Sequence, residues 1–334
     1  MLGRLVRGGF SAVKWALCAV GAAALLMTAM VATPLQRPPH LASISDTARA
    51  VDRSTLPRIE VFQARDGTGL AYRHYPARAA STGRAAILIH GSSGSSVAIH
   101  ALADALAARG VESFAVDIRG HGASGTRGDI GYLGQLEDDL ADFVTQVRTK
   151  APSAPLTLIG HSAGGGFALR VAASPIENLF SRTILLAPYL GYDAPTNRPN
   201  SGGWASPDLP RIIALRVLRE IGITCCDALP VLAFAVPPNS EKSLTATYSA
   251  RLLRNFATSA YRSDLAAAKM PITVFSGADD ELMLSDKYAE AIHAVKPSID
   301  VKLIEGVNHM AIVSAPKAIS VIADDVATRG MAGS

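Results

Sequence analysis

From residue 58 onward, short apolar runs suited to strands alternate with amphipathic stretches suited to helices. The first two runs, 59–64 and 70–75, flank Asp66-Gly67-Thr68-Gly69 and predict a hairpin. Further runs at 85–90, 113–117, 156–160, 183–186, 272–276 and 300–304 bring the predicted strands to eight. Helical periodicity fills the gaps between the later runs, at 96–109 (apolar at Val97, Leu102 and Leu106), 135–149, 162–173 and 285–295. Strands joined through helices predict a mostly parallel sheet with both faces covered, an α/β fold. Between 188 and 264 the alternation breaks down into Pro/Gly/Asn-rich loops, an amphipathic segment 209–221, an apolar patch 228–236 and a helix at 244–257. This stretch reads as a cap inserted between the sixth and seventh strands.

Ahead of the alternating region, residues 15–32 carry no charge. As a helix they reach about 27 Å, close to the ~30 Å of a bilayer core. Arg4, Arg7 and Lys14 precede the segment, which places residues 1–14 in the cytoplasm and the rest of the chain on the exported side. Small residues at −3 and −1 of a cleavage site are hard to find, since the nearest candidates put Met30 at −3 or Pro34 at +1. The reading is an uncleaved signal anchor; cleavage would instead release a secreted protein. Residues 33–57, with four prolines and no sustained periodicity, read as a linker to a catalytic domain at 58–330.

Composition narrows the picture only slightly. Apolar residues make up 49% and charged ones 18%, without the polar, charge-rich signature of disorder. The net charge is only +4, and three basic residues lie ahead of the apolar segment, so no nucleic-acid-binding face is predicted. Three cysteines are too few for a disulfide scaffold, and Cys18 falls inside the apolar run. The adjacent Cys225 and Cys226 read as two small thiols rather than a strained vicinal disulfide.

The chemistry is carried by Gly160-His161-Ser162-Ala163-Gly164, a G-x-S-x-G directly after a predicted strand and directly before a predicted helix. A tight strand-to-helix turn there lifts a serine Oγ above the sheet edge, which makes Ser162 the candidate nucleophile. A neutral serine needs a base, and the base needs a partner that fixes its tautomer. His309 follows the last predicted strand and is the one histidine of eight in the right chain order and loop; His293 lies within a predicted helix. Asp279, Asp280 and Glu281 follow the strand at 272–276, at the sheet edge where α/β sites form, and spacing alone does not choose among them. Backbone amides of Ser92, in the loop His90-Gly91-Ser92-Ser93-Gly94, and of Ala163 are the candidate oxyanion donors. A phosphate-binding reading of that loop fails, because no Lys follows in P-loop spacing and no G-x-G-x-x-G is present.

Taken together, His90-Gly91 with its serine-rich loop, Asp117-Ile118-Arg119-Gly120-His121-Gly122-Ala123-Ser124, Gly160-His161-Ser162-Ala163-Gly164, Gly277-Ala278-Asp279-Asp280 and Asn308-His309 resemble the α/β-hydrolase family. The resemblance spans roughly residues 58 to 325 and is narrowest for the lysophospholipase and monoacylglycerol-lipase-like branch. It implies an eight-stranded α/β-hydrolase sheet, an acid at Asp280, three residues after Gly277, and a structural role for His121. It also implies a serine hydrolase acting on carboxylic esters through an acyl-enzyme, with no metal or organic cofactor. Peptidase, thioesterase and acyltransferase chemistry would use the same three residues, and a membrane-tethered binding protein without turnover is the rival from another class. Dehalogenase and epoxide-hydrolase relatives place Asp where Ser162 stands. The apolar cap segments 209–221 and 228–236 would suit an acyl-chain pocket, so a lipid-derived ester or another small-molecule ester is the expected substrate, with the membrane as the other partner.

Overall fold

The computed structural model describes residues 2–238, 240 and 244–328, with side chains from residue 14 onward. The side chains of Arg4 and Arg7 and the expected domain end at 330 lie outside the described residues. The strands are β1 (Glu60–Gln63), β2 (Gly69–Tyr75), β3 (Ala85–Ile89), β4 (Glu112–Val116), β5 (Leu156–His161), β6 (Arg182–Leu186), β7 (Ala205–Pro207), β8 (Pro230–Phe234), β9 (Thr247–Ser249), β10 (Ile272–Gly277) and β11 (Asp300–Ile304). The helices are α1 (Leu2–Val31), α2 (Ala42–Arg49), α3 (His100–Ala108), α4 (Gln135–Arg148), α5 (Ala163–Ala172), α6 (Leu209–Glu220), α7 (Ala250–Asn255), α8 (Tyr261–Ala267), α9 (Tyr288–His293) and α10 (Pro316–Thr328).

Eight strands form one sheet in the order β1-β2-β4-β3-β5-β6-β10-β11. The pairs from β4 to β11 are parallel, while the β1–β2 hairpin and the β2–β4 pair are antiparallel. Strands β3, β5, β6 and β10 are buried along their whole length, as their mainly apolar sequences require once helices cover both faces. One face packs Ile87, Phe114, Leu158 and Val274 against Leu140 and Phe143 of α4 and Phe167 of α5. The other packs Leu88, Ile159, Ile184 and Phe275 against Leu102 and Leu106 of α3 and Ile322 of α10. This is the mostly parallel, helix-flanked α/β sheet that the pattern predicts.

Between β6 and β10 the chain builds the cap, whose core is a second, three-stranded antiparallel sheet in the order β7-β8-β9. One local expectation fails here. The helix anticipated over 244–257 begins only at Ala250, because Thr247–Ser249 extend to pair with β8. The apolar patch 228–236 is the central strand of that sheet, and its unbroken apolar run follows from burial within the cap. The presumed linker 33–57 also holds more structure than its prolines indicate: α2 buries Ile44 in the main core, and Leu41 N–H donates to Ala235 O at 3.3 Å. Cys225 and Cys226 are unbonded thiols, their sulfurs 3.5 Å apart.

Candidate active site

Three loops leave the carboxyl ends of neighbouring parallel strands and converge. Ser162 follows β5, Asp280 lies just beyond β10, and His309 comes after β11. Ser162 has φ 55° and ψ −120°, a left-handed backbone that costs a non-glycine residue on the order of 1–3 kcal/mol. Surrounding bonds hold it there: Ser162 N–H donates to Leu186 O at 2.9 Å, and Ser162 O accepts from Tyr189 N at 2.9 Å and Gly166 N at 3.1 Å. The motif glycines are required by space. A Cβ on Gly160 would sit 2.1 Å from Gly164 O, and one on Gly164 would sit 2.3 Å from His90 O.

His309 Nε2 lies 3.0 Å from Ser162 Oγ, and its Nδ1 lies 2.7 Å from Asp280 Oδ2. The second carboxylate oxygen, Oδ1, accepts from the amides of Leu282 and Met283, each at 2.8 Å. With Oδ1 so occupied, Oδ2 accepts the hydrogen bond from Nδ1–H, leaving Nε2 as an acceptor aimed at the serine hydroxyl. Burial opposes the Asp280 charge, but the neighbouring His309 and the two amides outweigh it and hold its carboxyl below the usual range. All three side chains are sheltered: Ser162 is 7% exposed, His309 2% and Asp280 1%.

Of the three acidic residues that spacing left open, Asp280 is the one whose side chain meets His309. Asp279 points its side chain to solvent, and Glu281 Oε2 accepts from the His309 amide at 2.9 Å. Arg198, from the cap, donates through Nη2 to Asp280 O at 2.9 Å. His293, the rival base, is exposed and engages Ile299 O at 2.9 Å.

The candidate oxyanion loop is pinned from the cap side. Trp204 Nε1 donates to Ser92 Oγ at 2.9 Å, Thr245 N to Ser93 O at 2.9 Å, and Ser93 N to Tyr248 Oη at 2.9 Å. Tyr248 O–H in turn reaches His121 Nε2 at 2.6 Å, while His121 Nδ1 faces Arg119 O at 3.3 Å. The Ser92 amide has no hydrogen-bond partner among the described residues, and Ala163 is the first residue of α5, where the first-turn amides have no partner within the helix. A Cβ on Gly91 would come 3.1 Å from Ser162 Cβ, so the glycine lets the loop close on the serine. Sequence reading missed Trp204, Thr245 and Tyr248, which carry no motif and lie 112–155 residues away in the chain.

The polar segment after β4 is a brace. Asp117 accepts from Ser96 N at 2.7 Å and Ala123 N at 2.9 Å, Ser124 Oγ accepts from Ala71 N at 2.8 Å, and Arg119 pairs with Asp139 at 2.7 Å. His161, the residue before the serine, contacts His309 O through Nε2 at 3.0 Å. Burial first, then the nearby His309, lower its pKa to about 3, so it stays neutral. Among the described residues no cluster of His, Cys, Asp and Glu is arranged to hold a metal ion.

Comparison with known proteins gives a consistent picture. The profile of the family described as serine aminopeptidase, S33, matches residues 81–314. A monoglyceride lipase homologue of Monkeypox virus is 25% identical over 237 residues, covering 66% of this chain and 79% of the relative. Among solved structures, a soluble variant of monoglyceride lipase from Saccharomyces cerevisiae superimposes with a TM-score of 0.62 at 21% identity, covering 82% of this chain and 95% of that one. A bacterial membrane phospholipase A reaches a TM-score of 0.55 at 17% identity and covers 95% of this chain and 97% of its own.

Proposed function

The chain belongs to the serine aminopeptidase, S33, family, in the monoacylglycerol-lipase-like branch of the α/β-hydrolase serine hydrolases, and on that footing we propose that it cleaves lipid-derived carboxylic esters through an acyl-enzyme on Ser162. The observation that carries this reading is His309 bridging Ser162 Oγ at 3.0 Å and Asp280 Oδ2 at 2.7 Å. In the proposed reaction His309 Nε2 takes the hydroxyl proton as Oγ attacks the ester carbonyl. The amides of Ser92 and Ala163 hold the developing oxyanion, the latter helped by the positive end of α5. His309 then protonates the departing alcohol, and water deacylates Ser162 by the reverse sequence. The ester class is supported by the relatives named as monoglyceride lipases and phospholipase, and by the apolar helix that leads into the domain.

That helix contains an apolar stretch, Lys14–Val31, long enough to cross a bilayer. We read it as a signal anchor that holds the catalytic domain, from residue 58, on the exported side of the membrane.

Labelling of the full chain by a fluorophosphonate probe, compared with Ser162→Ala, tests the nucleophile; activity on monoacylglycerols, p-nitrophenyl esters of graded length and an aminoacyl-p-nitroanilide tests the substrate class. Labelling lost in Ser162→Ala with turnover of long-chain esters is expected. A folded chain that does not label would be a binding protein, and turnover of the anilide alone would make it a peptidase.

A further inference from the structure

The inner face of α6 is buried at Arg211, Ala214 and Leu215, as a cap helix requires. Its outer face is not the polar surface expected of a helix that faces water. Leu209, Ile213, Val217 and Ile221, each four residues apart, stand between 42% and 67% exposed. Steps of four advance about 40° around a helix, so the four side chains form one apolar band about 120° wide. Arg216 and Glu220 border it along one side. These residues therefore do not line a pocket within the cap.

The end of α1 is fastened to this helix. Arg211 Nε donates to Val31 O at 2.9 Å and its Nη2 donates to Thr33 O. Thr33 Oγ1 lies 2.9 Å from both Asp208 carboxylate oxygens, and Asp208 Oδ1 caps α6 by accepting from Arg211 N at 3.0 Å. Val31 packs beside Leu215 and Val231. The apolar span Lys14–Val31 contains 18 residues. It rises about 27 Å, slightly less than the ~30 Å hydrocarbon core, so its last residue cannot stand clear of the outer leaflet. Whatever is bonded to Val31 and Thr33 lies at the boundary between acyl chains and headgroups.

We propose that α6 is an interfacial helix, lying in the outer leaflet with Leu209, Ile213, Val217 and Ile221 among the lipids and Arg216 reaching the headgroups. The proposal rests on the membrane-anchored reading of α1. It gives the cap a fixed orientation: the catalytic domain sits on the bilayer, with its cap against the surface that holds lipid esters.

The test uses the full chain with Cys18, Cys225 and Cys226 replaced by serine and a single cysteine placed at Ile213, at Val217 or at the exposed Thr145 of α4. Each is labelled with an environment-sensitive NBD probe and reconstituted in phosphatidylcholine–phosphatidylglycerol vesicles, with and without lipids brominated near the headgroup. Flotation of the same preparations reports α1 insertion. The expected result is flotation of all three, with blue-shifted emission and at least about twofold bromine quenching at 213 and 217 but not at 145. Failure to float would defeat the anchor reading and this inference with it. Flotation with water-like emission at 213 and 217 would overturn the interfacial placement alone. A blue shift without quenching would overturn it too, because a second copy or another protein surface would then cover the band, and equal quenching at 145 would show that the probe rather than the helix enters lipid.

Discussion

Tyr248→Phe removes one oxygen from the junction between the cap and the candidate oxyanion loop. The ring keeps its edge-on contact with His121 and its packing against Phe234. Two buried groups lose their partner: Ser93 N–H, which donates to Tyr248 Oη at 2.9 Å, and His121 Nε2, which lies 2.6 Å from it. A buried polar group left unpaired costs about 1–3 kcal/mol, so the substitution should destabilise the fold by about 2–6 kcal/mol. Ser93 is held at φ 66°, a conformation unfavourable for a residue other than glycine, and the substitution leaves it only the Thr245 N–H bond to its carbonyl as a tether. Relaxation there shifts the adjoining Ser92 amide. Complete loss of one oxyanion donor costs roughly 10²–10³ in rate, and partial displacement should lower kcat by about 10–100-fold. KM should hardly change, because the amide acts on charge that develops only in the transition state. Urea unfolding in detergent micelles gives the first quantity, and p-nitrophenyl butyrate kinetics the second. A Phe variant with the parent's unfolding midpoint and kcat would refute the reasoning, since it would mean that the tyrosine hydroxyl does not hold the loop.

Asp280→Asn should lower kcat by about 10³–10⁴, the loss expected when such an acid is amidated. Because Oδ1 already accepts from two amides, the new NH₂ would face His309 Nδ1 and drive the ring proton to Nε2, where it blocks proton uptake from Ser162; steady-state kinetics with circular dichroism as a folding control would read this. Gly164→Ala should unfold at a lower temperature by more than the ~1–3 kcal/mol of ordinary overpacking, since its Cβ would meet backbone at 2.3 Å; a thermal melt decides. Acid should destabilise the fold through His161, whose pKa falls from an ordinary 6.5 to about 3. Between those values the unfolded chain binds a proton that the folded chain excludes, so stability rises with pH across the window and is lost on acidification. One such histidine accounts for about 2–3 kcal/mol between pH 7 and 4.5, and urea midpoints at the two pH values should differ accordingly.

The main sheet was legible because its central strands β3, β5, β6 and β10 are buried along their whole length and so write themselves as short, mainly apolar runs; all eight strands lie within a residue or two of the segments that the pattern marks. The residues that meet at the candidate site were legible for a related reason. Each lies just past a strand's carboxyl end, and the parallel order of β5, β6, β10 and β11 brings those ends side by side. The cap was not legible in the same way. Thr247–Ser249 become a strand only because β8 offers an edge to pair with, and Tyr248 acquires its role from Ser93 and His121, more than 120 residues earlier. Nothing local marks either fact. The segment before β1 was misread for the same physical reason: α2 is stabilised by burying Ile44 in a distant core rather than by its own short sequence.

The fastening of α1 to α6 bears on how a soluble form of the enzyme would be cut. Trimming after Thr33 removes the Val31 and Thr33 carbonyls from Arg211, leaving Pro230 O at 2.5 Å as its remaining carbonyl acceptor, and deprives Asp208 of a hydroxyl donor at the start of α6. Retaining residues 30–33 keeps every one of those contacts, including the Thr33 hydroxyl's own bond to Met30 O at 2.8 Å. The part of the chain that folds with the catalytic domain therefore begins inside the N-terminal helix, one turn before its end.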